Sequence, residues 1–302
     1  MEPRMIEPTR LTVASDMSAR CDRAIARAWQ LARTWNGGLD VVHVVSAAEI
    51  THRDRLSRSI PSWRRSEPRI ATIERHLRAD LAAEGVSASS RVVVGAPAEM
   101  LQEASAGDAN SLIVLGIAKD ARMDRIQLGS TVDSLVRHSR VPVLNVRLRA
   151  RAAYRHVVVA TDFSGPAGRA LALAARWFEG AKLTLFHAYL PPGSAVTTGP
   201  ATSDSWRAAA TQQCESHLAG LDLPAATAQT LQRLLEHGLP AELLADYVAH
   251  GDVDLVVLGT HGHSGLARVL LGSTAEHLLH TLDCDTLVAR GAGHVARQKP
   301  LN

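Results

Sequence analysis

Residues 253–282 read VDLVVLGTHGHSGLARVLLGSTAEHLLHTL. Val253 to Leu258 form a short, almost wholly apolar run rich in valine, the composition of a parallel strand buried on both faces. Glycines follow at 259, 262, 265 and 272. Ser273 and Thr274 then lead into a helical pattern built on Ala275, Leu278, Leu279 and Leu282. Ser273 is expected to cap that helix, with Glu276 three residues on completing a capping box.

The arrangement suits an anion. Glycines let backbone amides approach a ligand with no β-carbon in the way, and a helix start offers unpaired N–H groups and a favourable dipole. The hydroxyls of Ser273 and Thr274 add donors, so phosphate is the natural guest. Neither common nucleotide fingerprint is present, because no Gly-Lys-Ser/Thr closes the loop and the glycine spacing is not that of a dinucleotide fold. The stretch resembles the ATP-binding signature of the universal stress protein family: glycine, two residues, glycine, nine residues, glycine, then serine or threonine. Gly259, Gly262, Gly272 and Ser273 meet that spacing in full.

Outside this stretch the chain is one unit written twice. Leu11 to Ser15 form an apolar strand ending at Asp16, followed by a helix on Ala24, Ile25, Ala28, Leu31 and Ala32 that Gly37 and Gly38 are expected to end, then a strand from Leu39 to Val45. The order returns as His156 to Thr161, Asp162, a helix through Leu171, Leu173, Ala174 and Trp177, Gly180, and a strand from Leu183 to Ala188. Gly95-Ala96-Pro97-Ala98-Glu99 returns as Gly238-Leu239-Pro240-Ala241-Glu242, with proline where a helix begins and its missing N–H costs nothing. Ser111–Gly116 returns as Asp254–Gly259, Leu128–Thr131 as Leu271–Thr274, and Val141–Val146 as a last strand around Thr286–Ala289. A repeat of this length predicts two domains, 1–150 and 151–302, joined by a short stretch from Arg149 to Arg155.

Valine-rich strands alternating with amphipathic helices argue for an α/β fold, a parallel sheet covered on both faces. The resemblance extends over both units and implies two tandem doubly wound domains, each with a five-stranded sheet of order 3-2-1-4-5. The topological switch, where ligands of open α/β sheets bind, then falls between the strands ending at Asp162 and Gly259. Family association through fifth strands implies an internal pseudo-dimer, Val141–Val146 against Thr286–Ala289, with a homodimer of whole chains as a further expectation.

Composition narrows the classes. The 302 residues are 46% hydrophobic and 21% charged, as in a globular protein, and only 4% aromatic, too few for a base-stacking surface. Residues 1–150 carry 22 basic and 17 acidic side chains, residues 151–302 carry 11 and 13. The surplus gathers at Arg53, Arg55, Arg58, Arg64, Arg65 and Arg69; a solvated loop and a contact for an acidic partner or membrane surface are both open readings, and DNA binding is not implied. Residues 48–70 and 190–205, which follow the second strand of each unit, read as irregular loops or lids. Cys21, Cys214 and Cys284 have no metal or redox spacing, and Cys21 and Cys284 read as small core residues. With no apolar signal core at the start and no run of membrane-spanning length, a cytoplasmic location is expected.

The resemblance places the adenine side of ATP near Ala160, Thr161, Asp162 and Ala188, with Leu258 beside it, and the phosphates over Gly259, Gly262, Gly272, Ser273 and Thr274, with Mg²⁺ or Mn²⁺ as accompanying ions. Asp162 has a second reading, as the cap of the helix that follows. His261 and His263 could touch phosphate or be plain loop residues; a pair two apart does not make a chelating set. His187, inside an apolar strand, reads as a packed residue with one bonded nitrogen. The first unit keeps Asp16, Gly116, Gly129 and Ser130 but has Lys119 where the second has Gly262, so one intact and one degenerate site are expected. No catalytic set can be named. A stress-responsive nucleotide-binding module answering to a regulatory protein leads, with a slow ATPase and a nucleotide-free scaffold as alternatives.

Overall fold

A computed structural model describes residues 7–47, 69–108, 110–117, 128–190, 200–260 and 272–290. The first half runs β1 (Arg10–Ser15), α1 (Ala19–Trp35), β2 (Gly38–Val45), α2 (Arg69–Ala83), β3 (Ser89–Val94), α3 (Pro97–Ser105), β4 (Ser111–Gly116), α4 (Ser130–His138) and β5 (Val143–Val146). The second runs β6 (His156–Ala160), α5 (Gly165–Trp177), β7 (Lys182–Tyr189), α6 (Pro200–Ala219), α7 (Ala225–Thr230), β8 (Gln232–His237), α8 (Pro240–His250), β9 (Leu255–Gly259), α9 (Ser273–Thr281) and β10 (Asp285–Ala289). Side-chain alternation on valine-rich strands feeds two apolar layers. Leu11, Val13, Leu144 and Leu287 face α1, α2, α5 and α6, whereas Ile113, Val143, Val256 and Val288 face α3, α4, α8 and α9.

Each half shows the expected strand order, and the two are joined into one ten-stranded sheet, β3-β2-β1-β4-β5-β10-β9-β6-β7-β8. Every pairing is parallel except that of β5 with β10, which is antiparallel and sets Leu144 opposite Leu287. Helices continue the joint on both faces. Trp35 of α1 packs its ring 5.5 Å from Trp177 of α5 and donates Nε1–H to the Trp177 carbonyl at 3.1 Å. On the opposite face Arg137 of α4 reaches Glu276 of α9 at 2.6 Å.

A buried charge sits at this joint. The Asp285 carboxylate accepts N–H bonds from Arg147 (2.7 Å) and Leu148 (2.8 Å) and the hydroxyl of Tyr154 (2.6 Å), with Arg27 Nε 3.5 Å away. The Arg27 guanidinium lies 4.1 Å from the centre of the Tyr154 ring. Burial raises the Asp285 carboxyl above its ordinary range, and the bonds from Leu148, Tyr154 and Arg147 and the charge of Arg27 act against that shift.

Several local expectations are corrected. α1 is ended by Asn36, which takes the left-handed conformation (φ 53°) that asparagine tolerates, while Gly38 already belongs to β2. Residues 190–205 are not irregular throughout, because α6 starts at Pro200, a residue suited to a first helical turn. Its buried residues, Ala210 and Cys214, are too small to announce the helix by hydropathy. Arg69 and Ile70 open α2, and the second half has an additional short helix, α7. Arg53 to Arg65 lie outside the described residues.

Candidate functional site

β6 and β9 are neighbours, so their C-terminal ends open the crevice at the point where chain direction across the sheet reverses. The turn after β6 is built by its own side chains. Thr161 Oγ1 accepts the Phe163 N–H at 2.9 Å, Asp162 Oδ1 accepts the Ser164 N–H at 3.0 Å, and Phe163 takes a positive φ of 62°. Ser164, not Asp162, is the cap of α5: its hydroxyl accepts the Ala167 N–H at 3.4 Å. The cap reading of Asp162 is thereby corrected. The carboxylate instead fixes the turn that presents the cap.

A cavity of about 270 Å³ lies at this crevice. Ala160, Thr161, Asp162, Ala188, Leu258, Gly259, Gly272, Ser273 and Thr274 all line it, so nine residues from four separate stretches meet in one place. Gly262, His261 and His263 lie outside the described residues. Pro240 and Leu244 of α8 add an apolar wall that sequence reasoning passed over. The repeated Gly-x-Pro-Ala-Glu motif was the available signal.

The two glycines in the cavity wall differ in cause. A β-carbon on Gly259 would stand 3.2 Å from the Ala167 nitrogen and the Pro166 carbonyl, so any side chain there would push α5 and β9 apart by a few tenths of an ångström. A β-carbon on Gly272 would meet nothing within 4 Å among the described residues, and its φ of −60° and ψ of 145° suit any residue. Packing among the described residues therefore does not explain Gly272. The expected capping box is also absent: Gly272 is the N-cap of α9, and Ser273 and Thr274 are already its first helical residues. Glu276 spends its carboxylate on Arg137, across the joint. Two hydroxyls at the start of α9 thus border the cavity, together with the N-terminal end of the helix dipole.

His187 sits as expected of a packed residue. Its Nδ1 lies 2.8 Å from the Thr161 carbonyl, its ring 4.2 Å from that of Phe163, and burial lowers its pKa below the usual 6.5 despite the Thr161 bond and the charge of Asp162. The His43 ring repeats the contact in the first half, with Nδ1 2.8 Å from the Ser15 carbonyl.

The first half holds the equivalent cavity, about 310 Å³, lined by Ala14, Ser15, Asp16, Leu115, Gly116 and Gly129 among others. Its acidic corner is already engaged. Asp16 takes a two-pronged contact from Arg20, through Nε at 2.8 Å and through Nη2, and bonds from the Ser18 hydroxyl and the Cys21 thiol. Burial pushes the Asp16 carboxyl up, but the bonds from Cys21, Ser18 and Arg20 outweigh it and hold the group well below the ordinary carboxylate range. Cys21 is in turn raised to about 11, first by burial and then by Asp16. In the second half Pro166 and Ala167 stand at the positions of Arg20 and Cys21 and supply neither cation nor thiol. An arginine four residues after the aspartate on a helix start was legible in the sequence but unread. Lys119 lies outside the described residues.

Among the described residues no group of three or more His, Cys, Asp or Glu side chains could hold a metal, and no helix is long and apolar enough to cross a membrane.

Comparison with known proteins agrees with this architecture. The profile of the Universal stress protein family matches residues 8–147 and again 153–290. Universal stress protein E of Salmonella typhi is 45% identical over 56 residues, 18% of this chain and 18% of that protein. Universal stress protein A homolog 1 of Coxiella burnetii is 28% identical over 146 residues, 44% of this chain and 94% of that one. A solved universal stress protein from Archaeoglobus fulgidus superposes with a TM-score of 0.63 at 17% identity, covering 94% of this chain and 99% of its own, a likeness of fold.

Proposed function

The chain belongs to the universal stress protein family, and from that premise we propose that it is a nucleotide-responsive regulatory module that binds one adenine nucleotide, ATP foremost, in its second half. The observation that carries this reading is the convergence of Asp162, Ala188, Leu258, Gly272, Ser273 and Thr274 on one cavity, in which a β-carbon on Gly272 would meet nothing within 4 Å among the described residues. The apolar wall of Ala160, Ala188, Leu258 and Leu244 suits the faces of a purine, and Asp162 suits ribose hydroxyls or a base amine. The start of α9, with Gly272, Ser273 and Thr274, would receive the phosphates. Magnesium or manganese would come held by the phosphates themselves, as is usual for hard cations at triphosphates.

The division between residues 1–150 and 151–302 is functional in this reading. In the first half Arg20 occupies the carboxylate that a ribose would need, so that cavity supports its twin and takes no adenine nucleotide. The test is calorimetric titration of the intact chain with ATP, ADP, AMP and cyclic AMP, with released ADP measured in the same samples. One site per chain is expected, with ATP surviving the titration. Two equal sites, or no heat with any of the four, would overturn the proposal, and stoichiometric ADP release would move it from a binding module to a slow ATPase.

A further inference from the structure

The two halves meet about a pseudo-two-fold axis, and the residues that flank the axis differ. β4 pairs Ile113 with Val143, and β9 pairs Val256 with Thr286. Since Ser111–Gly116 repeats as Asp254–Gly259, Val143 is the counterpart of Thr286, Leu144 of Leu287 and Asn145 of Val288. Across the joint Leu144 faces Leu287, Asn145 faces Thr286 and Val143 faces Val288. The axis therefore passes between the two leucines. One pair beside it is polar and the other aliphatic. Asn145 and Thr286 are 1% and 4% exposed, and Asn145 Nδ2 donates to Thr286 Oγ1 at 3.4 Å.

We infer that these facing pairs code the two halves for each other and against copies of themselves. If two first halves met about the same axis, each buried Asn145 would face a valine, Val143, with nothing to bond. Two second halves would bury each Thr286 hydroxyl against Val288. Only the mixed pairing sets polar against polar and valine against valine: Asn145 Oδ1 has no partner among the described residues even there, and either like pairing would leave the Asn145 amide N–H or the Thr286 hydroxyl unmatched as well, at further cost. A second asymmetry points the same way. Asp285, which accepts from Arg147 and Leu148 across the joint and from Tyr154 at the start of its own half, has Pro142 as its counterpart, so a pair of first halves would lack that carboxylate altogether. The surface on β5 thus fits a strand that offers a hydroxyl opposite Asn145 and an aliphatic side chain opposite Val143. The inference is independent of any nucleotide.

Exchanging the code within the intact chain tests it. Val143→Asn with Asn145→Val sets the amide against Val288 and leaves an isopropyl group opposite Thr286; Thr286→Val with Val288→Thr mismatches the other side in the same manner. Either exchange alone is expected to lower the thermal midpoint by about 5 °C, and the two together to return it to within about 2 °C of the parent. A combined chain that falls by the sum of the two losses would overturn the inference. A gentler comparison covers the event that the exchanged chains fail to fold: Asn145→Thr, which keeps a polar partner for Thr286, should melt above Asn145→Val, its near-isostere. An equal or higher midpoint for Asn145→Val would equally refute it.

Discussion

Replacing Gly272 by valine separates a glycine kept for a ligand from one kept for the fold. The residue is the N-cap of α9, at φ −60° and ψ 145°, a conformation open to a β-branched side chain. Loss of glycine at an N-cap costs about 0.5–1 kcal/mol, and the stiffer unfolded chain returns about 0.4–1 kcal/mol, so stability should move by no more than about 0.5 kcal/mol. A β-carbon there would meet nothing within 4 Å among the described residues, and Gly272 borders a cavity of about 270 Å³. If a phosphate uses that space, at least one charge-assisted bond from the helix start is lost, worth about 2 kcal/mol or about 30-fold in affinity. Thermal melting and ATP titration on the same preparation read both quantities. Gly259→Ala is the control: its β-carbon would press on Ala167 and Pro166 at 3.2 Å, so about 1–3 kcal/mol of stability should go, with binding weakened as a consequence. A Gly272→Val protein that melts like the parent and binds ATP within about twofold of it would refute the assignment of this helix start to phosphate.

Two further outcomes follow from the buried groups. Tyr154→Phe removes the hydroxyl that Asp285 accepts at 2.6 Å and leaves that oxygen with Arg27 at 3.5 Å, so a loss of about 2 kcal/mol is expected, about 6 °C in the thermal midpoint; an unchanged midpoint would show that the joint does not depend on this bond. His187 has a folded-state pKa lowered by burial, so the unfolded chain binds more protons as pH falls through 6.5, and stability present above that pH is lost below it. Denaturation at about pH 7.5 and about pH 5.5 should therefore show a smaller acid loss in His187→Phe, which keeps the ring against Phe163, than in the parent. His156, whose pKa burial also lowers, contributes to the remainder. Equal losses in the two proteins would contradict the reading of His187.

Most residues bordering the second-half cavity were named from sequence because the elements that carry them are local and occur twice. A strand, a glycine and a helix start need no partner to be recognised, and Gly259, Gly272, Ser273 and Thr274 followed from that grammar, whereas Ala160, Asp162 and Leu258 came from the resemblance to the family. The local grammar failed where one residue's role depends on its neighbour. Ser273 has the letters of a cap, yet the backbone turns helical one residue earlier, and Glu276 is drawn to Arg137 in the other half. Gly259 and Gly272 look alike in the signature, but only the approach of α5 tells them apart.

The amino-acid sequence by itself determined the repeated α/β unit, the covered parallel strands and the glycine-bearing helix start, since period, composition and turn chemistry are written in consecutive residues. Tertiary structure alone decided which side chains face one another where the halves meet: Asn145 on Thr286, Asp285 on Tyr154, Arg137 on Glu276. Register between strands more than a hundred residues apart is fixed by the packing of whole layers, and no local pattern carries it.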